Sequence, residues 1–143
     1  MRVKVEKVVV HADARGRVFE PLAGAELGRF RNVHAVLTEP GAVRGNHYHE
    51  RGTEVLAVEG PMQVRVREEG VVRDYEVPTG EVWRFTFPPG VAHAMKNVGS
   101  QAAWMVGFNT EEHDRAAPDV RPARLLEPDE APSPGQSEES GNR

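Results

Sequence analysis

Apolar residues in this chain recur in short runs with a period near two. Residues 2–10 are valine-rich and partly alternating, and 33–37, 55–58, 64–67 and 71–77 are short β-branched runs. Trp83, Phe85 and Phe87 alternate with Arg84 and Thr86, the spacing of a strand buried on one face. A last apolar run covers 102–108. Turn signals separate these runs: Gly16, Pro40-Gly41, Gly60-Pro61, Glu69-Gly70, Pro78-Thr79-Gly80 and Pro88-Pro89-Gly90. The pattern predicts about nine or ten short strands, an all-β sandwich or barrel. Helix is limited to a turn near 111–116 and another near 123–126. No internal repeat is visible.

A chain of 143 residues suits one domain with a core of its own. From Pro128 the sequence turns to Pro, Ser, Gly, Asp and Glu without a branched or aromatic residue. Nothing there repays the entropy of ordering, so the reading is one domain over 1–127 and a disordered acidic tail over 128–143. Much of the net charge of −4 falls in that tail, through Asp129, Glu130, Glu138 and Glu139 against Arg143. The rest is close to neutral, which is no footprint for nucleic acid. No run approaches the roughly 18 apolar residues of a membrane helix, so a helical membrane protein is excluded. With no cysteine, disulfide scaffolds, thiol catalysis and cysteine-bound zinc are excluded as well. The N-terminus alternates charge with valine and has no signal-peptide core, so a cytoplasmic location is expected.

The six histidines carry the candidate chemistry. His47 and His49, two apart on an expected strand, project to one face while Tyr48 points away. Arg51-Gly52 reads as a turn, after which Glu54 opens the next strand and returns a carboxylate beside the two imidazoles. His93 begins another strand-like stretch just after Pro88-Pro89-Gly90. Three imidazoles and one carboxylate suit a divalent transition metal: zinc first, or Fe, Mn, Ni or Cu. The set is too rich in nitrogen for Mg or Ca. His11, His34 and His113 have no partner pattern and are expected to do no chemistry. Trp83, Phe85, Phe87, Trp104 and Phe108 are expected to be core or barrel-lining residues.

The two histidine segments resemble the paired motifs of the cupin superfamily, G-x5-H-x-H-x(3,4)-E-x6-G and G-x5-P-x-G-x2-H-x3-N. Gly41, His47, His49, Glu54 and Gly60 match the first, with five residues instead of six before Gly60. Pro88, Gly90, His93 and Asn97 match the second, with Gly80 two residues too far upstream. The resemblance implies a jelly-roll β-sandwich with His47, His49, Glu54 and His93 as metal ligands. It leaves the reaction open, because cupins include isomerases, oxygenases, decarboxylases and binding proteins.

Further segments are similar to cupins that act on nucleotide-linked keto sugars. Asp13-Ala-Arg15-Gly16 and Arg44-Gly-Asn-His47 resemble segments of dTDP-4-keto sugar epimerases and ketoisomerases. Glu111, Asp114, Pro118 and Asp119 look like the end of the cupin domain in capsular-polysaccharide enzymes acting on UDP-4-keto-6-deoxy sugars. What this implies is an epimerase or isomerase that removes a proton alpha to a ketone. His47 or His93 would serve as the catalytic group, Arg44 would hold phosphates, and Arg15 and Glu111 would also contact substrate. The rhamnose-type epimerases use a later-strand tyrosine that has no counterpart here, so the metal-keeping capsular type is the closer likeness. In that type the cupin is joined to a reductase domain, of which this sequence carries none. A histidine bound to metal is a poor base, so metal and histidine base stand as alternatives. Rival readings are an Fe(II) dioxygenase and a non-catalytic cupin that binds a small ligand or sugar. A homodimer is expected, with the strand at 2–10 as its edge.

Overall fold

Alternation decides what each strand buries. In β7 (Met62–Glu68), Met62, Val64, Val66 and Glu68 are buried while Arg67 faces solvent. The other strands are β1 (Lys4–Val8), β2 (Val10–Asp13), β3 (Gly16–Phe19), β4 (Asn32–Thr38), β5 (Val43–His49), β6 (Glu54–Glu59), β8 (Val71–Val77), β9 (Val82–Phe87), β10 (Ala92–Asn97), β11 (Ala103–Asn109) and β12 (Val120–Pro122). They belong to a computed structural model that describes residues 2–130. Two antiparallel five-stranded sheets, β1-β9-β6-β11-β4 and β12-β5-β10-β7-β8, form the sandwich, with β2-β3 as a separate hairpin. The all-β jelly-roll reading holds.

The core lies between the sheets. Leu56, Val58, Phe85, Phe87 and Met105 come from the first, and Met62, Val64, Val66, Val77 and Met95 from the second. Each such side chain contributes roughly 1.5–3 kcal/mol by leaving water. Phe85, Phe87 and Phe108 are buried as expected, but Trp104 is 54% exposed, on the outer face of β11.

Three local expectations are corrected. The strand expected over 2–10 breaks at Val9: Val8 stays buried, Val9 is exposed, and Val10 leads into the hairpin. Val10 and Phe19 then pack on Val8, Ala57 and Val82, covering the outside of the first sheet. The turn expected over 111–116 is confined to one non-helical turn, in which the Ala117 amide donates to the Asp114 carbonyl (3.3 Å). Asn109 Oδ1 accepts from the Glu111 amide (2.8 Å), and Asp114 Oδ1 from that of Ala116 (2.9 Å). Likewise 123–126 holds neither helix nor strand and is pinned by Asn46, whose Oδ1 accepts from the Leu125 amide (2.8 Å) and Leu126 amide (3.1 Å). Among the described residues the one helical segment is a 3-10 turn at Gly24–Arg29.

Asn46 also shapes the site. His93 pairs with His47 but Ala94 pairs with Gly45, so Asn46 is the extra residue of a bulge. Gly45 (φ +84°) and Asn46 (φ 58°) both sit in the left-handed region. A Cβ on Gly45 would lie 2.7 Å from the His93 carbonyl oxygen, so the position is closed to a side chain. The bulge seats His47 directly across from His93. Asp129, inside the expected tail, is still anchored through Gly41 O (3.0 Å) and Lys96 (2.8 Å); residues 131–143 lie outside the described part.

Candidate metal centre

The second sheet supplies His47 and His49 from β5 and His93 from β10, while Glu54 opens β6 in the first sheet. The connection at 50–53 carries the chain between the sheets, so Glu54 faces the imidazoles as the spacing suggested. One ligand atom from each of the four lies within 4.8 Å of the others, a group that could hold a metal ion. Glu54 Oε1 is the hub, 2.8 Å from His93 Nε2, 3.0 Å from His49 Nε2 and 3.9 Å from His47 Nε2.

His93 is the most fixed of the four. It is fully buried, and Phe87 stacks on its ring at 4.0 Å with the planes 3° apart. Its Nδ1 donates to the Val91 carbonyl (3.0 Å), which can only accept, so Nδ1 carries the ring proton. Nε2 then points a lone pair at a carboxylate 2.8 Å away, and such a contact is stable only with a cation between them. That cation is not readily a second proton. Burial pushes the His93 imidazolium down, and the nearby Glu54 charge does not make up the loss. His47 Nε2 gives a second sign, being buried with no hydrogen-bond partner among the described residues. An orphaned imidazole nitrogen and facing lone pairs fit a metal with nitrogen and oxygen ligands.

The electrostatics agree. Burial by itself would raise the Glu54 carboxyl, but His34, His47, His49 and His93 outweigh it and hold the group well below the usual carboxylate range. His49 is lowered by burial, yet Glu54 and Asp119 reverse this and leave it raised.

A cavity of about 420 Å³ opens over the centre, lined by His34, His47, His49 and Glu54 on its floor and by 111–114 and Pro118–Val120 at its rim. The structure brings Glu111 to this cavity but not Arg15 or Arg44. Arg15 sits at the exposed tip of the β2-β3 hairpin, holding Asp13, and Arg44 donates to the Leu37 carbonyl (2.7 Å). Among the described residues no lysine or arginine lines the cavity; Arg31 and Arg51 reach it through ion pairs with Glu112 and Glu111, each at 3.6 Å.

Two histidines set aside on sequence line this cavity: His34 and His113. His34 Nε2 lies 3.6 Å from Glu54 Oε2. Its Nδ1 donates to Asn32 Oδ1 (3.0 Å), two residues away on the same face of β4. Room for the ring comes from Gly107, paired with His34 across β4 and β11; a Cβ there would lie 2.5 Å from His34 Nε2. The sequence holds one usable signal, a glycine inside an otherwise apolar strand, which marks a close approach.

A family model described as the polysaccharide biosynthesis C-terminal domain matches residues 11–121. The chain is similar to a UDP-2-acetamido-2,6-beta-L-arabino-hexul-4-ose reductase of Pseudomonas aeruginosa, at 34% identity over 116 residues. That match covers 79% of this chain but 30% of the relative's length. A 3-hydroxyanthranilate 3,4-dioxygenase of Xanthomonas euvesicatoria is 39% identical over 76 residues, covering 53% of this chain and 40% of that protein. Among solved structures, the 3'-monoepimerase ChmJ from Streptomyces bikiniensis, in complex with dTDP-quinovose, shares the fold. Its TM-score is 0.68 at 18% identity, over 84% of this chain and 68% of that one.

Proposed function

The chain belongs to the family of polysaccharide biosynthesis C-terminal domains, and we propose that it is a metal-dependent epimerase or isomerase of a nucleotide-linked 4-keto sugar, acting in the cytoplasm in surface-polysaccharide synthesis. The observation that carries this reading is the buried Glu54 carboxylate shared by His49 and His93 beneath an open cavity, with the unpartnered Nε2 of His47 beside it. A zinc ion held by His47, His49, Glu54 and His93 would act as a Lewis acid toward negative charge developing on a ketone oxygen.

The rest falls to the protein's own side chains. As ligands, His47, His49 and His93 would have their Nε2 atoms committed, so the free ring on the cavity floor is His34. Its Nε2 takes the proton from the carbon beside the ketone. The C–H electron pair moves into the new C=C bond, and the carbonyl pair moves onto oxygen as an enolate. A water in the open cavity gives a proton to the other face of the same carbon, the enolate pair re-forms the ketone as the epimer, and the hydroxide left behind takes the proton held by His34. Glu111 faces the sugar hydroxyls. Arg31 and Arg51 at the rim replace Arg15 and Arg44 as the groups assigned to the diphosphate.

Proton NMR of UDP- and dTDP-linked 4-keto-6-deoxyhexoses, incubated with zinc-loaded protein in deuterated water, tests the reading. Loss of a ring-proton signal beside the ketone, abolished by His47→Ala, is the expected result; no exchange on any of them overturns it. The likeness to a dioxygenase favours a second reading, in which the same ligand set holds Fe(II). Oxygen uptake by iron-loaded protein with an aromatic substrate would decide for it, and neither activity would leave a binding cupin. The chain is also proposed to pair as a homodimer through β1, an edge strand of the first sheet. Light scattering at micromolar concentration should then give twice the chain mass, and a monomer mass removes the pairing.

A further inference from the structure

Asp119 stands outside the four ligands, on the segment that walls the cavity, and its side chain is only 9% exposed. Its Oδ1 accepts from the Arg51 amide (2.7 Å) and its Oδ2 from the Gly52 amide (3.0 Å). Oδ2 also lies 3.4 Å from His49 Nδ1, on the side of the ring away from Glu54. The Asp119 carbonyl accepts from the Glu50 amide (2.9 Å), and Arg51 Nε stands 3.6 Å from Oδ1. Desolvation opposes charge on this carboxyl, but the two amides, His49 and Arg51 hold it below its ordinary range.

One more group competes for His49 Nδ1. Asn109 Nδ2 is also 3.4 Å away, and since Asn109 Oδ1 is engaged by the Glu111 amide (2.8 Å), it presents a donor. A donor and a carboxylate cannot both be served by one ring nitrogen. With a metal on Nε2 the ring proton belongs on Nδ1, and of these two neighbours only the Asp119 carboxylate can accept it. Gly52 makes this approach feasible: a Cβ would lie 2.8 Å from Asp119 Oδ2 and 2.5 Å from Asn109 Oδ1.

We infer that Asp119 is a positioning residue for the metal centre: it fixes the tautomer and orientation of His49 and joins the 110–120 wall of the cavity to the metal. This rests on the metal reading above. Because one carboxylate holds both the ring and the amides of Arg51 and Gly52, the coupling is reciprocal. Metal binding steadies the wall, and a loosened wall weakens the metal.

Zinc affinity, measured by competition with a chelating dye, tests the inference on the full chain. Asp119→Asn keeps the shape but puts an amide where the ring needs a charged acceptor, and should weaken zinc binding about 10- to 100-fold. Glu50→Gln removes a neighbouring charge that pairs with Arg121 (2.9 Å) and touches no imidazole, so it should bind zinc as the parent does. Equal affinity in Asp119→Asn and parent overturns the inference while leaving the centre intact, as does an equal loss in Glu50→Gln. Failure of the parent to bind zinc overturns the metal reading and the inference with it. If Asp119→Asn does not fold, long-range 1H–15N NMR of the zinc-loaded parent decides. His49 protonated on Nδ1 is expected, and protonation on Nε2 overturns the role.

Discussion

Glu54→Gln should bind zinc more than 100-fold more weakly than the parent and lose the stabilisation that zinc confers. The substitution keeps volume and removes only the charge, at the one acidic group among the described residues that meets every imidazole of the centre. Glu54 Oε1 lies within 3.0 Å of both His49 and His93, and its other oxygen faces His34. An outer hydrogen-bond partner is worth about 10- to 100-fold in metal affinity, and a direct ligand should exceed that. A ligand that binds only the folded chain, present at about 1,000 times its dissociation constant, adds about 4 kcal/mol to folding stability. The parent should therefore melt at clearly higher temperature with zinc than with a chelator, and Glu54→Gln should melt alike in both. In the metal-free state the variant also leaves His49, raised by Glu54 and Asp119 together, with Asp119 alone. Metal content by mass spectrometry and paired thermal melts check both halves. A variant that keeps one zinc per chain and the full thermal shift would remove Glu54 from the centre.

The four-residue cluster was legible because each part depends on local spacing. Residues two apart on a strand share a face, which fixes His47 with His49, and a four-residue turn returns Glu54 to them. His93 follows a tight turn and a long-range pairing, and the motif resemblance was needed to bring it in. The bulge at Gly45 and Asn46 left no trace in the apolar pattern, yet it sets the pairing of His47 with His93.

β4 shows why the remainder was hidden. Val33, Ala35 and Leu37 alternate with Asn32, His34, Val36 and Thr38, and apolar patterning assigns the valine and leucine to the core. The strand does the reverse: Val33 is 64% exposed, and Thr38 is fully buried. His34 thus faces inward against the rule, and across the pair Trp104 faces outward beside Leu37. Inversions of this kind belong to strands that line a site, where the inward face must be polar enough to hold water or a ligand. Asp119 was singled out by family likeness, but its contact with His49 was hidden for another reason. Its partner His49 lies 70 residues earlier and meets it only because β12 pairs with β5, an arrangement no short-range pattern encodes.

His34→Gln should lower substrate proton exchange by about 10²- to 10⁴-fold while leaving zinc content unchanged, the range for losing a positioned acid–base group. The split between these readouts is the substance of the prediction. Among the described residues His34 Nε2 makes no hydrogen bond, and its Nδ1 is occupied by Asn32, so the ring is held in place with its reactive edge toward the cavity. It faces the same carboxylate as the ligand set, but on the other oxygen and from the opposite sheet. A substrate carbon over the centre would therefore lie within reach of a ring outside the proposed ligand set. His47→Ala makes the useful contrast, since it should cost zinc and exchange together. Zinc lost along with exchange in His34→Gln would make His34 a fifth ligand instead of the base. Exchange at the parent rate would return the proton transfer to a metal-held group. Gly107→Ala offers a check that leaves every polar group in place. It fills the slot that seats the His34 ring, so it should slow exchange and spare zinc, as the removal of the ring itself does.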